Sequence, residues 1–336
     1  MKGKKDLLAG LMARSGMHHV CRKLVRWSGV LTLNYHRIGQ GASSLFDREL
    51  WSADPEGFDA QVRCLKANYD VVSPDDLPEL VHKGRGRAAL ITFDDGYADN
   101  YHAAFPILRR HGVKATFFVS TGFLDDPRVS WWDEIAWMIR TSDRAGIDVR
   151  PWIPEPVAFD GPDRAGAIRT LLRAYFRTPS KCSEGFLDVV GESTGTGRCP
   201  RSMASETWMT WDMVREMRSA GMTIGGHTVT HPVLARMPRE GQWREISRCG
   251  ERLAAELGQP MLDFSYPVGR DGAFNDETRQ CLRLANVRHA FTFHGGFRQF
   301  EDWDDYDIPR VPVESNINLD RFRAMLSLPM VFSRSA

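Results

Sequence analysis

The chain has no apolar run approaching the ~20 residues of a membrane-spanning helix, so no such span is expected. Its cysteines, Cys21, Cys64, Cys182, Cys199, Cys249 and Cys281, include no close pair with metal-ligand spacing, and in a chain of 336 residues they read as buried thiols of a reducing compartment. Neither sign of charge is in excess: 44 Lys and Arg face 43 Asp and Glu. A nucleic-acid binder usually carries a basic excess, so no nucleic-acid partner is expected. The opening MKGKKDLLAGLMARSGMHHVCRKLVRW is basic but lacks the sustained apolar stretch and small-residue cleavage site of a secretory leader, and the expected location is the cytoplasm. No Gly-x-Gly-x-x-Gly follows the first strand-like run, which removes the main support for a dinucleotide-binding doubly wound sheet.

What is present is a globular composition, 42% hydrophobic and 26% charged, with short apolar runs alternating with amphipathic stretches. Val30–Tyr35, Ala88–Phe93, Ala115–Val119 and Met222–Ile224 read as strands; Phe58–Lys66, Ala103–Arg110, Trp211–Ala220 and Trp243–Leu257 read as helices. Strands alternating with helices imply βαβ units and a parallel sheet, here an α/β fold closed as a (β/α) barrel over residues 29–336. Residues 125–207 break the rhythm with a Trp131-Trp132-Asp133 start and a Pro-, Gly- and Ser-rich continuation, read as a partly helical insertion on a barrel loop. Residues 1–28 read as an amphipathic basic helix. Over residues 1–30 seven basic side chains stand against Asp6 alone, a local charge of +6. Such a segment either lies on an anionic membrane, giving peripheral contact with the inner membrane surface, or packs on the domain.

Two clusters carry the chemistry. Asp94-Asp95 ends the apolar run Ala88–Phe93, the place where barrel active sites are built. Asp75-Asp76, Asp125-Asp126 and Asp304-Asp305 lack that placement and read as turns or caps. In Gly225-Gly226-His227-Thr228-Val229-Thr230-His231-Pro232, the proline disfavours helical geometry at His231 and puts both histidines on a loop, with Pro232 opening the next helix. One carboxylate and two imidazoles make three metal ligands with room for water, which is catalytic geometry. Zn²⁺ is the expected ion, and Co²⁺ or Ni²⁺ would also fit such donors. A third segment, Phe264-Ser265-Tyr266-Pro267-Val268-Gly269, reads on its own as a tight turn. Trp131 and Trp132 read either as a stacking platform for sugar rings or as packing inside the insertion.

In order along the chain, Phe93-Asp94-Asp95-Gly96, His227-Thr228-Val229-Thr230-His231 and Phe264–Gly269 resemble the first three motifs of the polysaccharide deacetylase family (NodB homology, carbohydrate esterase 4). The resemblance runs from about Val30 to Val313, apart from the insertion. It implies a distorted (β/α) barrel and metal-dependent removal of acetyl from an N-acetylated sugar, in a polysaccharide or a lipid-linked glycan. Asp94 would be the base and Asp95, His227 and His231 the metal ligands. The Val268 backbone N–H would hold the oxyanion, and Tyr266 would contact substrate. Two family features are missing. Ser265 stands where an Arg usually pairs with the base, and no Leu-x-x-His follows His294. Both departures resemble the branch containing the poly-N-acetylglucosamine deacetylases, in which a Tyr-His near the start of the domain stands in for the acid. Here that place is Tyr35-His36, with His294 as the rival acid, and Arg310 is the candidate partner for Asp94. The alternatives are a deacylase of a small N-acyl metabolite or an O-acetylated glycan, and a saccharide-binding protein with an impaired site.

Overall fold

The computed structural model describes residues 4–24, 27–162 and 164–332. Its centre is a curled sheet of seven strands: β1 (Gly29–Tyr35), β2 (Arg87–Phe93), β3 (Thr116–Val119), β4 (Thr223–Gly226), β5 (Asp263–Ser265), β6 (His289–Phe291) and β7 (Arg310–Pro312). All seven run parallel, in the order β6-β5-β4-β3-β2-β1-β7. The two edges meet where Phe291 bridges Ile308, just ahead of β7. There Thr292 N–H donates to Ile308 O at 2.9 Å and Ile308 N–H to Ala290 O at 3.1 Å. Short strands at Asp70–Val71 and, antiparallel, at Arg298–Gln299 extend β2 and β1. β1 and β3 are buried at every residue, β2 at all but its first. Burial on both faces explains their continuous apolar runs.

Helices cover the outside because their apolar faces have nowhere else to go. In α3 (Pro55–Lys66), which follows the two N-terminal helices, Asp54 caps the first turn by accepting from Gly57 N–H at 2.7 Å. Phe58, Val62 and Leu65 are wholly buried, each such side chain contributing roughly 1.5–3 kcal/mol. The stretch read as a helix from Ala103 begins as a π-helical turn, Asn100–Ala104, and continues as α4 (Phe105–His111). Pro232 opens no helix: residues 227–233 stay irregular, and α9 (Arg239–Leu257), which follows α8 (Trp211–Ser219) and precedes α10 (Asp276–Leu284), starts after Pro238.

Within the insertion, α5 (Trp131–Thr141), α6 (Ala165–Arg177) and α7 (Ser183–Thr194) pack with a small hairpin around a second core that includes Ile135, Ile139, Leu171, Phe186 and Val190. At the N-terminus, α1 (Lys4–Arg14) and α2 (Met17–Leu24) replace the single helix read from the sequence. The break falls at Ser15-Gly16, where Gly16 takes a φ of 68° that other residues adopt only with strain. Ala9 and Met12 of α1 are buried in the main core, which also takes up Phe322 and Met325 of α11 (Leu319–Ser327).

Candidate active site

The C-terminal ends of β1, β2, β4, β5 and β7 converge on one cavity of about 520 Å³, closed on one side by α5 and α6 of the insertion. At its floor lies Asp94, directly after β2. Arg310 of β7 grips it in a two-pronged ion pair, with Nη1 donating to Oδ1 and Nη2 to Oδ2, both at 2.7 Å. The guanidinium is fully buried, and its remaining donors go to Thr292 O, Thr92 Oγ1 and Ser265 Oγ. Asn34 Nδ2 donates to Asp94 Oδ2 at 3.0 Å. Among the described residues Oδ1 accepts a hydrogen bond from Arg310 alone and retains a free lone pair. Burial opposes ionisation of Asp94, but the Arg310 charge, helped by His227, overrides it and holds the carboxyl far below the usual carboxylate range. Asp94 is therefore an ionised acceptor across the physiological pH range.

Asp95, His227 and His231 form a second cluster, all three buried, with ligand atoms within 4.8 Å of one another. Each imidazole Nε2 lies 3.4 Å from Asp95 Oδ1. Ligands about 2.0–2.1 Å from a tetrahedral ion are about 3.3–3.4 Å apart, so the spacing fits a metal. His227 Nδ1–H donates to Ser265 O at 2.7 Å, which leaves Nε2 as the ligand atom. Burial, reinforced by His227, pushes His231 down to about 3, so its ring is neutral and able to ligate. Against burial, Asp94 and Asp95 raise His227, a field that favours a cation at this spot.

The loops holding these groups are strained. Among the described residues six non-glycine positions have positive φ, and four belong to the site: Asp95 (74°), Thr228 (67°), His231 (55°) and Val268 (63°). A β-branched residue such as Val268 seldom adopts this conformation unless its surroundings impose it. Glu245 of α9 braces the histidine loop by accepting from Val229 N–H, Thr230 N–H and Thr230 Oγ. The Val268 turn is pinned by Gly269 O, which accepts from Phe293 N–H at 2.6 Å; a Cβ on Gly269 would sit 2.8 Å from that nitrogen.

His36 and Val268 both line the cavity with Asp94 and Asp95. His36 N–H donates to Ser52 Oγ, and its carbonyl accepts from Asn100 of the π-turn, so the backbone is fixed while the ring faces the site. His294 does not reach the cavity and lies against Asp271 and Asp307 instead. Tyr266, read as a substrate contact, is buried and stacked on Phe274, and its hydroxyl donates to Tyr306 O at 3.0 Å. Ser265 points at Asp94, and the alternation along a strand turns the next side chain away. Trp131 and Trp132 both line the cavity, yet both are tied down. Trp131 stacks on Tyr175 and donates to His231 O; Trp132 donates to Tyr97 Oη and lies 4.3 Å from the His231 ring.

The model of the family described as "Polysaccharide deacetylase" matches residues 82–149 and 189–290, leaving part of the insertion between the two stretches. YxkH of Bacillus subtilis (strain 168), which takes its name from the same family, is 35% identical over 298 residues, 88% of this chain and 75% of that protein. The chain belongs to the polysaccharide deacetylase family. The poly-β-1,6-N-acetyl-D-glucosamine N-deacetylase of Staphylococcus aureus (strain N315) is 29% identical over 112 residues, 30% of this chain and 38% of that protein. Two solved structures superpose well. PplD of Streptococcus pyogenes, solved with acetate, gives a TM-score of 0.59 at 19% identity, covering 91% of this chain and 99% of that one. IcaB of Ammonifex degensii gives 0.56 at 18%, covering 89% and 97%. These two share their barrel fold with this chain.

Sequence reasoning missed four groups at or beside this cavity: Asn34, Glu245 and the carboxyl pair Asp47 and Asp133. Asp133 Oδ1 accepts from Asp47 N–H at 2.9 Å, and its Oδ2 accepts from Tyr97 Oη at 2.8 Å. Burial raises Asp47 to about 7 and Asp133 to about 6. Asn34, in Asn34-Tyr35-His36, could have been found from its position at the C-terminal end of β1. Nothing local marks the others.

Proposed function

We propose that this chain is a metal-dependent hydrolase that removes acetyl from an N-acetylated amino sugar in a polysaccharide or a lipid-linked glycan. The observation that carries the reading is the buried Asp94–Arg310 pair beside the Asp95, His227 and His231 ligand set in one cavity. A divalent ion held by those three residues, with Zn²⁺ expected from the donors, would acidify water and polarise the acetyl carbonyl. Asp94 Oδ1 takes the proton as the water oxygen bonds to the acetyl carbon. Arg310, Asn34 and Ser265 keep that carboxylate ionised and aimed. The Val268 N–H, which has no partner within the described chain, donates to the developing oxyanion; a well-placed donor of this kind contributes roughly 3–4 kcal/mol. As the C–N bond breaks, the His36 ring protonates the departing nitrogen, and acetate and a free amine leave. The partial match to a poly-N-acetylglucosamine deacetylase supports an amino-sugar substrate. Acetate measured from a panel of N- and O-acetylated saccharides, with and without a chelator, tests the reading. Metal-dependent release from N-acetyl sugars is expected, and saccharide binding without release would leave only a binding protein.

A second reading concerns location. We propose that α1 and α2 touch an anionic membrane surface. Among the described residues twelve large apolar side chains are exposed, and eight belong to the terminal helices, including Leu7, Leu11, Val20 and Leu24 of α1 and α2 and Met330 beside α11. A basic segment with a free apolar face suits an anionic bilayer surface. Flotation with anionic liposomes of the whole chain and a chain lacking residues 1–28 tests this. Loss of flotation in the shortened chain is expected, and equal behaviour would leave the helices as packing alone.

A further inference from the structure

The rim of the cavity differs in charge from its floor. On α6, Arg173, Phe176 and Arg177 fall three and four residues apart and so share a face. Arg270, two residues beyond Val268, lays its guanidinium carbon 4.4 Å from the centre of the Phe176 ring. Arg236 approaches the same ring at 5.6 Å and donates from Nε to Phe176 O. Arg173, Phe176 and Arg270 line the cavity that holds Asp94, Asp95 and the two histidines. Neighbouring Arg169 is neutralised by Glu49 at 2.7 Å, but among the described residues Arg173, Arg177, Arg236 and Arg270 make no ion pair. Partial burial and the repulsion of Arg173 and Arg177 lower Arg270 from the ordinary arginine value, and no carboxylate offsets them. Two of these guanidiniums lie over the Phe176 ring, the other two flank it on α6, and Arg173 and Arg270 line the cavity itself, so four like charges cluster at its mouth without a counter-charge. Guanidinium groups converge in this way on phosphate, whose oxygens accept paired N–H bonds and whose multiple charge matches several cations.

We propose that the substrate is a phosphorylated saccharide, its acetylated sugar on the floor and a phosphate or diphosphate ester held at the rim by Arg173, Arg177, Arg236 and Arg270. This rests on the deacetylase reading and specifies its substrate class. The phosphate is bound and not cleaved; acetyl hydrolysis at the floor is unchanged in its chemistry.

The test uses the whole metal-loaded chain. Acetate release is followed from a neutral N-acetylglucosamine trimer, N-acetylglucosamine 1-phosphate, a nucleoside diphosphate N-acetylglucosamine and a polyprenyl diphosphate N-acetylglucosamine in detergent micelles. The last two arms separate a soluble source of the diphosphate from a lipid-linked one. Phosphorylated substrates are expected to be preferred over the neutral trimer in kcat/KM by about tenfold or more at low salt, less at high salt. That preference is expected to collapse in R173Q/R270Q and to be largely kept in R173K/R270K. Equal use of neutral and phosphorylated substrates, or a preference that survives R173Q/R270Q, overturns the proposal, as does a stronger preference for a carboxylated oligosaccharide. Pyrophosphate titrated into the wild type and R173Q/R270Q is the readout that does not need turnover. Weaker binding in the variant supports the rim site, and unchanged binding overturns it. Should no substrate release acetate, the deacetylase reading fails, while the titration still decides the rim.

Discussion

The floor and the rim of the cavity are built on opposite principles. At the floor, Asp94 and Arg310 are buried, joined by two short bonds and braced by Asn34 and Ser265. Every group there is held by at least one other, and backbone strain at Asp95, His231 and Val268 is tolerated because the surroundings impose it. At the rim, arginines from the insertion and two loops are exposed and unpaired. A floor with one allowed arrangement suits a fixed reaction, and a rim of unsatisfied charge suits selection among substrates. On the proposed function, chemistry and specificity sit on different parts of the fold, the barrel and its additions.

Breaking the floor should cost most. Asp95→Ala or His231→Ala should lose bound metal and all measurable turnover, as chelation should, read by metal content and acetate release. Asp94→Asn should keep the metal and lose most turnover, because it removes an acceptor and not a ligand. His36→Ala should keep the metal and lose roughly 10²–10⁴-fold on amides. It should lose less on an activated acetate ester, whose leaving group needs little protonation. An equal loss on both substrates would remove His36 as the acid. Arg310→Ala strands a buried carboxylate and should destabilise the fold by about 3–5 kcal/mol, seen as a lowered Tm. Adding Asp94→Asn to it should recover part of that loss.

The smallest effect sharpens the boundary between the two regions. Asp47 lines the cavity, and burial raises it to about 7. A carboxyl raised on folding stabilises the folded state below its unfolded value near 4, and the contribution is lost as pH rises towards 7. Asp47→Asn should therefore raise Tm relative to the wild type at pH 8 and leave little difference at pH 4.

The legible parts of this site are those whose residues are neighbours in sequence. Asp94-Asp95 and His227–His231 each carry their meaning within a few residues, and strand burial on both faces made β1 to β3 readable as apolar runs. Arg310 lies 216 residues from Asp94, and only the missing arginine at Ser265 pointed to it. Asn34 and Glu245 act through contacts made across the sheet or between a helix and a loop, which no local pattern encodes. Tyr266 was misread because motif position does not say which way a side chain faces. The N-terminal break was visible in Ser15-Gly16, a turn signal that the basic and apolar periodicity overshadowed.

β7 brings a consequence for synthesis. Asp94, Asp95, His227 and His231 have all left the ribosome well before Arg310, and Phe291 has no Ile308 to bridge until the same late stretch emerges. A nascent or proteolysed chain ending short of residue 310 would hold Asp94, Asp95, His227 and His231, yet have an open barrel seam and an uncompensated carboxylate at its centre. The last strand thus closes the barrel seam and neutralises the buried carboxylate in one step.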